Sequence, residues 1–212
     1  MSDELIERLS RDLKPVPRLA VARRLAIGLG VGAVVSAVLT RATLGFRPDM
    51  TEAMGEAMFW VKLAYTAAIA GLGCWIVERL ARPAGDARRR TIWLLLPFAA
   101  VAMLAAWQLM QAAPGERMHK IMGGSADACP WCVLLFATPP MLGLVWAVRG
   151  LAPTRLRLTG AMLGLAAGGA GAAAYALHCD EMTAPFLAVW YTLGILGAGA
   201  IGALVGPRAL RW

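Results

Sequence analysis

Six stretches of the chain, residues 25–46, 57–77, 91–113, 131–148, 158–177 and 184–205, are almost free of charge. Each is close to the ~20 residues that a helix needs to cross the hydrocarbon core of a bilayer. A soluble domain of 212 residues has no use for six such runs, and its buried helices carry more polar punctuation. The chain therefore reads as an all-α, polytopic membrane protein with six transmembrane helices. The expected parts are an N-terminal cytoplasmic segment over residues 1–24, a membrane domain over 25–205 and a cytoplasmic tail over 206–212. Arg23 and Arg24 precede the first run much as the basic region of a signal peptide would. The segment before them is long and acidic, with Asp3, Glu4, Glu7 and Asp12, and the apolar run exceeds a signal's hydrophobic region. It is therefore kept as the first span.

Lys and Arg set the orientation. With the N-terminus inside, sixteen of the 21 fall in inside segments, including Arg79, Arg82, Arg88, Arg89 and Arg90 between the second and third spans. That asymmetry predicts both termini in the cytoplasm, with the lipid bilayer as the protein's solvent. The formal charge of +8 is then a topological bias. No groove-reading motif or aromatic platform accompanies it, so direct nucleic-acid binding is not expected.

The same topology puts three of the four cysteines on the periplasmic side, where disulfides form. Cys129 and Cys132 open the fourth span in "ACPWC", Cys179 follows His178 in the turn "HCDEMTAP", and Cys74 lies toward the inner end of span two. Pro130 suits the first turn of a helix, and backbone donors at such an end favour a thiolate, which makes Cys132 a candidate reactive thiol. Three outcomes are open: a local Cys129–Cys132 disulfide, a Cys132–Cys179 disulfide if the Cα atoms lie within about 7 Å, or a soft metal ion held by Cys132, Cys179 and His178 with His119 nearby. Met50, Met54 and Met58, with Met118 and Met122, are thioethers suited to Cu(I), though such stripes are more often packing or interfacial residues.

No nucleophile triad, phosphate loop or pair of catalytic carboxylates occurs in the sequence, so neither an enzyme nor a resident cofactor is expected; a sensed metal ion is the one open ligand. A quinone-linked thiol oxidase relays electrons through two cysteine pairs, and only three cysteines lie on the outer side.

Other signals concern packing and partners. Gly160, Gly164, Gly168 and Ala172 in span five, and Gly194, Ala198, Gly202 and Gly206 in span six, repeat every fourth residue. Such ridges let two helix backbones approach closely and predict a tight five–six hairpin. Pro139 and Pro140 remove two backbone donors inside span four and predict a bend there. Lys62, a short way into span two, is read as snorkelling to the membrane surface. At the N-terminus Leu5, Ile6, Leu9 and Leu13 share one face of a short helix that Pro15 and Pro17 stop. Its acidic residues oppose binding to anionic lipid and point to docking of a cytoplasmic partner.

The segments "LSRDLKPVPRLA", "LGFRPDM", "FWVKLAYT", "RGLAPTRL" and above all "AYALHCDEMTAPFLAVWYTLGI" are similar to the NrsF-type family of integral-membrane anti-sigma factors, which restrain an extracytoplasmic-function sigma factor of the SigF kind. The resemblance runs over nearly the whole chain, in order. It implies a membrane-bound anti-sigma factor that sequesters its sigma factor and releases it under oxidative or heavy-metal stress. It also implies that two outer cysteines matter, matching Cys132 and Cys179. Cys129 is an addition to the pattern, and a Cys129–Cys132 disulfide would compete with the signalling pair. A membrane thiol oxidoreductase and a copper-handling membrane protein are the alternative readings.

Overall fold

Hydrocarbon offers backbone N–H and C=O groups no water, so each apolar run must satisfy them within itself, and the helix is the open-chain solution. The computed structural model describes residues 17, 19–82 and 87–211, which are all-helical without strands. The Leu5, Ile6, Leu9 and Leu13 face lies outside the described residues. We number the helices α1 (Ala20–Thr43), α2 (Met50–Ala53), α3 (Ala57–Leu80), α4 (Arg89–Gln111), α5 (Arg117–Met122), α6 (Cys129–Val148), α7 (Leu156–Tyr175) and α8 (Ala184–Ala209). Among the described residues the six long ones, α1, α3, α4, α6, α7 and α8, are long and apolar enough to cross a membrane. The first starts at Ala20 rather than residue 25, and the last runs to Ala209 rather than 205.

One end of the bundle carries Cys129, Cys132 and Cys179; the arginine-rich connections lie at the other. Exposed tryptophans ring both, with Trp60, Trp107 and Trp131 near the cysteine end and Trp75, Trp93 and Trp146 near the arginine end. That is the arrangement of interfacial aromatic belts. At the arginine end the Arg90 guanidinium sits 4.3 Å from the Trp75 ring centroid, and Arg24 donates to the carbonyls of Trp146 and Arg149 at 3.4 and 3.3 Å.

The helix with the weakest apolar character is the centre. α7 is 83% buried over its span, whereas peripheral α4 is 22% buried. It packs against α8, α6 and α3, and its small residues explain how one helix touches three others. Gly160 and Gly164 lie against the backbone of Gly202 and Ala198 on α8, Gly169 against Thr66 and Ala70 on α3, and Gly171 against Phe136 and Ala137 on α6. The tight five–six hairpin expected from the two glycine ridges is therefore present. The α1–α6 seam is similar, with Gly28 against Gly143 and Gly32 against Pro140.

α6 runs through Pro139 and Pro140 as one helix. Pro140 has no N–H to offer the carbonyl of Phe136 four residues back. The buried Ser36 hydroxyl of α1 donates to that carbonyl at 2.6 Å instead. A serine a hundred residues away thus satisfies the acceptor that the proline leaves open.

Candidate functional site at the cysteine end

The turn between α7 and α8 is short because the glycine seam holds its two helices together. Its residues are hydrogen-bonded to several neighbouring segments. Gly45, at φ 81°, ends α1 in the left-handed conformation that glycine adopts readily. Its carbonyl lies 3.0 Å from Nδ1 of His178. A carbonyl only accepts, so this bond places the proton on Nδ1 and leaves Nε2 with a lone pair. Two residues later the backbone N–H of Arg47 donates to the Leu177 carbonyl at 3.1 Å. On the other side, Glu181 accepts the Gly124 N–H at 2.6 Å, and the Thr183 hydroxyl donates to the Lys120 carbonyl at 2.8 Å. The Ala184 N–H, at the start of α8, donates to Oε1 of Gln108 on α4 at 2.8 Å.

Arg47 is a buried anchor of this end. Its Nε and Nη2 grip both Asp49 oxygens at 2.7 and 2.6 Å, the fork geometry that makes an arginine–carboxylate pair directional. The bond from Arg47 holds the exposed Asp49 carboxyl below the usual carboxylate range, and the same bond raises the guanidinium. Together with Leu44, Phe46, Pro48, His178 and Asp180 the pair lines a cleft of about 400 Å³.

The three thiols gather around Tyr175, the last residue of α7. Cys129 opens α6 and is fully buried, Cys179 is 3% exposed, and Cys132, one turn into α6, is partly exposed and meets the Tyr175 hydroxyl. All four cysteines of the chain are free thiols in this state. Tyr175 also stands 5.9 Å from the His178 ring and 5.9 Å from the Tyr191 ring. Among the described residues, no three His, Cys, Asp or Glu side chains are grouped to hold a metal ion. Cys74 lies on α3, away from this cluster and beside the cleft formed with Leu25 and Leu29 of α1.

Lys62 corrects the reading from sequence. It does not snorkel: it is 2% exposed, donates to the Cys179 carbonyl at 3.1 Å, and lies 5.5 Å from the Tyr191 ring centroid. A buried ammonium is costly unless bonded, and the turn's carbonyl with the ring face supplies that compensation. The available signal was the polar face of Lys62, Tyr65 and Thr66 on an otherwise apolar helix, at the i, i+3, i+4 spacing of neighbours. Glu181, accepting from Gly124, ties the two loops together. Gly123, at φ 54°, lies so close to the Glu181 carboxylate that a side chain there would displace it.

Fold and site together define a six-helix membrane protein in which a thiol-bearing turn is bonded to several of the segments around it. Nothing among the described residues is arranged as a catalytic triad. The chain belongs to the NrsF family, described as negative regulator of sigma F, which it matches over residues 9–212. It is 39% identical over 212 residues to the anti-sigma-F factor NrsF of Caulobacter vibrioides (strain NA1000 / CB15N), covering 100% of this chain and 99% of that one. With the probable anti-sigma-F factor NrsF of Azospira oryzae (strain ATCC BAA-33 / DSM 13638 / PS) it shares 35% identity over 211 residues, covering 100% and 99%. No solved structure matches the chain.

Proposed function

We propose that this chain is a membrane-bound anti-sigma factor that holds an extracytoplasmic-function sigma factor at the cytoplasmic face and releases it when thiols at the periplasmic end are oxidised or bind a heavy metal. Full-length similarity to two anti-sigma-F factors supports the anti-sigma role. The charge asymmetry supports cytoplasmic termini and a periplasmic cysteine end. The observation that carries the sensing role is the α7–α8 turn itself, where Cys179 lies in a segment bonded to α3, the α1–α2 loop and the α5–α6 loop.

In this reading the Cys132 and Cys179 thiols lose two protons and two electrons to a peroxide. A sulfur–sulfur bond forms, the peroxide oxygen–oxygen bond breaks and, with hydrogen peroxide, two waters result. The bond draws the start of α6 toward the turn and strains the hydrogen bonds that hold the turn in place. Converting a bundle from about 1% to about 99% releasing state needs about 5.5 kcal/mol of preference for that state, within reach of several hydrogen bonds acting together. The N-terminal face of Leu5, Ile6, Leu9 and Leu13 is the proposed docking site for the sigma factor.

The test is co-purification of the sigma factor with the tagged chain from native membranes, with and without hydrogen peroxide or Cd(II). Joint replacement of Cys132 and Cys179 by Ser is expected to preserve retention and abolish release, while Cys129→Ser still releases. A double variant that releases normally rejects the sensing role; a wild-type chain that retains no sigma factor rejects the anti-sigma reading.

A further inference from the structure

The described residues hold one buried cation inside a span, Lys62, and one π-helical turn, Leu187–Tyr191 in α8. They are in contact. Tyr191 closes that turn and is fully buried, its hydroxyl beside the Cys179 side chain. Lys62 covers its ring and at the same time bonds the Cys179 carbonyl. One turn along α3, the Tyr65 hydroxyl meets Oγ1 of Thr192 at 2.6 Å, and that hydroxyl reaches the Leu187 carbonyl at 3.3 Å. The Thr192 N–H bonds the same carbonyl, which is the five-residue bond that defines a π turn. Because Thr192 donates to Leu187, Tyr65 must donate to Thr192. α3 therefore grips the π turn at both edges, through Lys62 on Tyr191 and through Tyr65 on Thr192.

A π turn carries one residue more than an α turn, and relaxing it to α geometry shifts the register of the following helix by one residue, about 100° and 1.5 Å. α8 runs from this turn to Arg208 at the arginine end, and it lies on α7 along a glycine seam.

We propose that Lys62, assisted by Tyr65, is a positioning residue that couples the cysteine turn to the π turn of α8, so that displacement of Cys179 is delivered to the opposite end of the bundle as a register shift. This rests on the anti-sigma reading above and adds the route by which the thiols act. While the Cys179 carbonyl stays in place, Lys62 is held over Tyr191 and the π turn persists. When the turn is drawn toward Cys132, the ammonium loses its acceptor and its hold on Tyr191.

The experiment uses the full chain in native membranes and reads two quantities before and after hydrogen peroxide: bound sigma factor, and free thiols counted by maleimide gel shift. For the wild type a coupling of ordinary size lowers bound sigma factor about tenfold on oxidation. In Lys62→Met, which keeps the aliphatic stem and removes the ammonium, thiols are expected to oxidise as in the wild type while the ratio falls to about one. Lys62→Arg, which keeps a cation and a donor, restores the response. A Lys62→Met chain whose sigma factor still leaves about tenfold on oxidation overturns the proposal. Should that variant fail to accumulate in the membrane, Tyr65→Phe, which removes a single hydroxyl, carries the test: a weakened ratio with normal thiol oxidation supports it, and an unchanged ratio overturns it. A wild-type chain that retains no sigma factor at all would instead remove the underlying reading, which separates the two failures.

Discussion

Adding one methyl group to Gly160 tests how the bundle is held together. A Cβ built there overlaps the Gly202 carbonyl oxygen and falls 2.9 Å from the Gly206 Cα. Both obstacles are backbone, so no side-chain rotation relieves the clash and α8 must retreat from α7 by on the order of 1 Å. A gap of that size forfeits a quarter to a half of each dispersion contact along the seam, and overpacking of this kind costs about 1–3 kcal/mol. Against it stands the gain of about 1 kcal/mol when Ala replaces Gly inside a helix. The balance leaves Gly160→Ala destabilised by up to about 2 kcal/mol. Gly30 on α1 is the control, because a Cβ there meets nothing within 4 Å; Gly30→Ala keeps the propensity gain and is expected to be neutral or stabilising. The assay is reversible unfolding in mixed micelles by titration with sodium dodecyl sulfate, followed through the eight tryptophans. If Gly160→Ala proves as stable as Gly30→Ala, close backbone approach is not what joins α7 to α8.

Ser36→Ala removes the only side-chain donor shown for the Phe136 carbonyl that Pro140 leaves open, and should cost about 0.6–1.7 kcal/mol in the same titration, the range of interhelical hydrogen bonds in membranes. The Arg47–Asp49 pair gives a pH signature: the folded-state pKa of Asp49 is depressed, so its stabilisation is fully present above the unfolded carboxylate value and is lost as pH falls through the lower folded value. Melting temperature between pH 7 and pH 3 should therefore fall less in Asp49→Asn than in the wild type, and identical acid dependence would refute the assignment. Under native conditions maleimide should label Cys132 before Cys129 and Cys179, which are buried; mass spectrometry of the labelled peptides checks the order. Glu181→Gln weakens the charge-assisted bond from Gly124 by about 1 kcal/mol and should speed labelling of Cys179, measured as a rate at fixed reagent.

Much of the architecture was legible because membrane spans are written as unbroken apolar composition. The six helices fell within a few residues of the six windows, and the glycine repeat in α7 and α8 announced the seam that closes the hairpin. Cys129, Cys132 and Cys179 were legible as a group at one end of the bundle because helix polarity alternates from span to span. Lys62 was misread because snorkelling depends on which way a side chain faces, and hydropathy along a helix does not contain that direction. Ser36 and Pro140 went unpaired in the sequence for the same reason: their relation exists only across the α1–α6 seam.

The sequence by itself determined the number of spans, their alternation, their charge asymmetry and the family, since each depends on local composition or on motifs read in order. Tertiary structure alone decided that α7 is central, that Lys62 caps the cysteine turn from inside, and that α8 carries a π turn gripped from α3. These features rest on contacts between residues up to about a hundred or more positions apart, whose energies depend on distance and direction in space. Composition along the chain carries neither quantity.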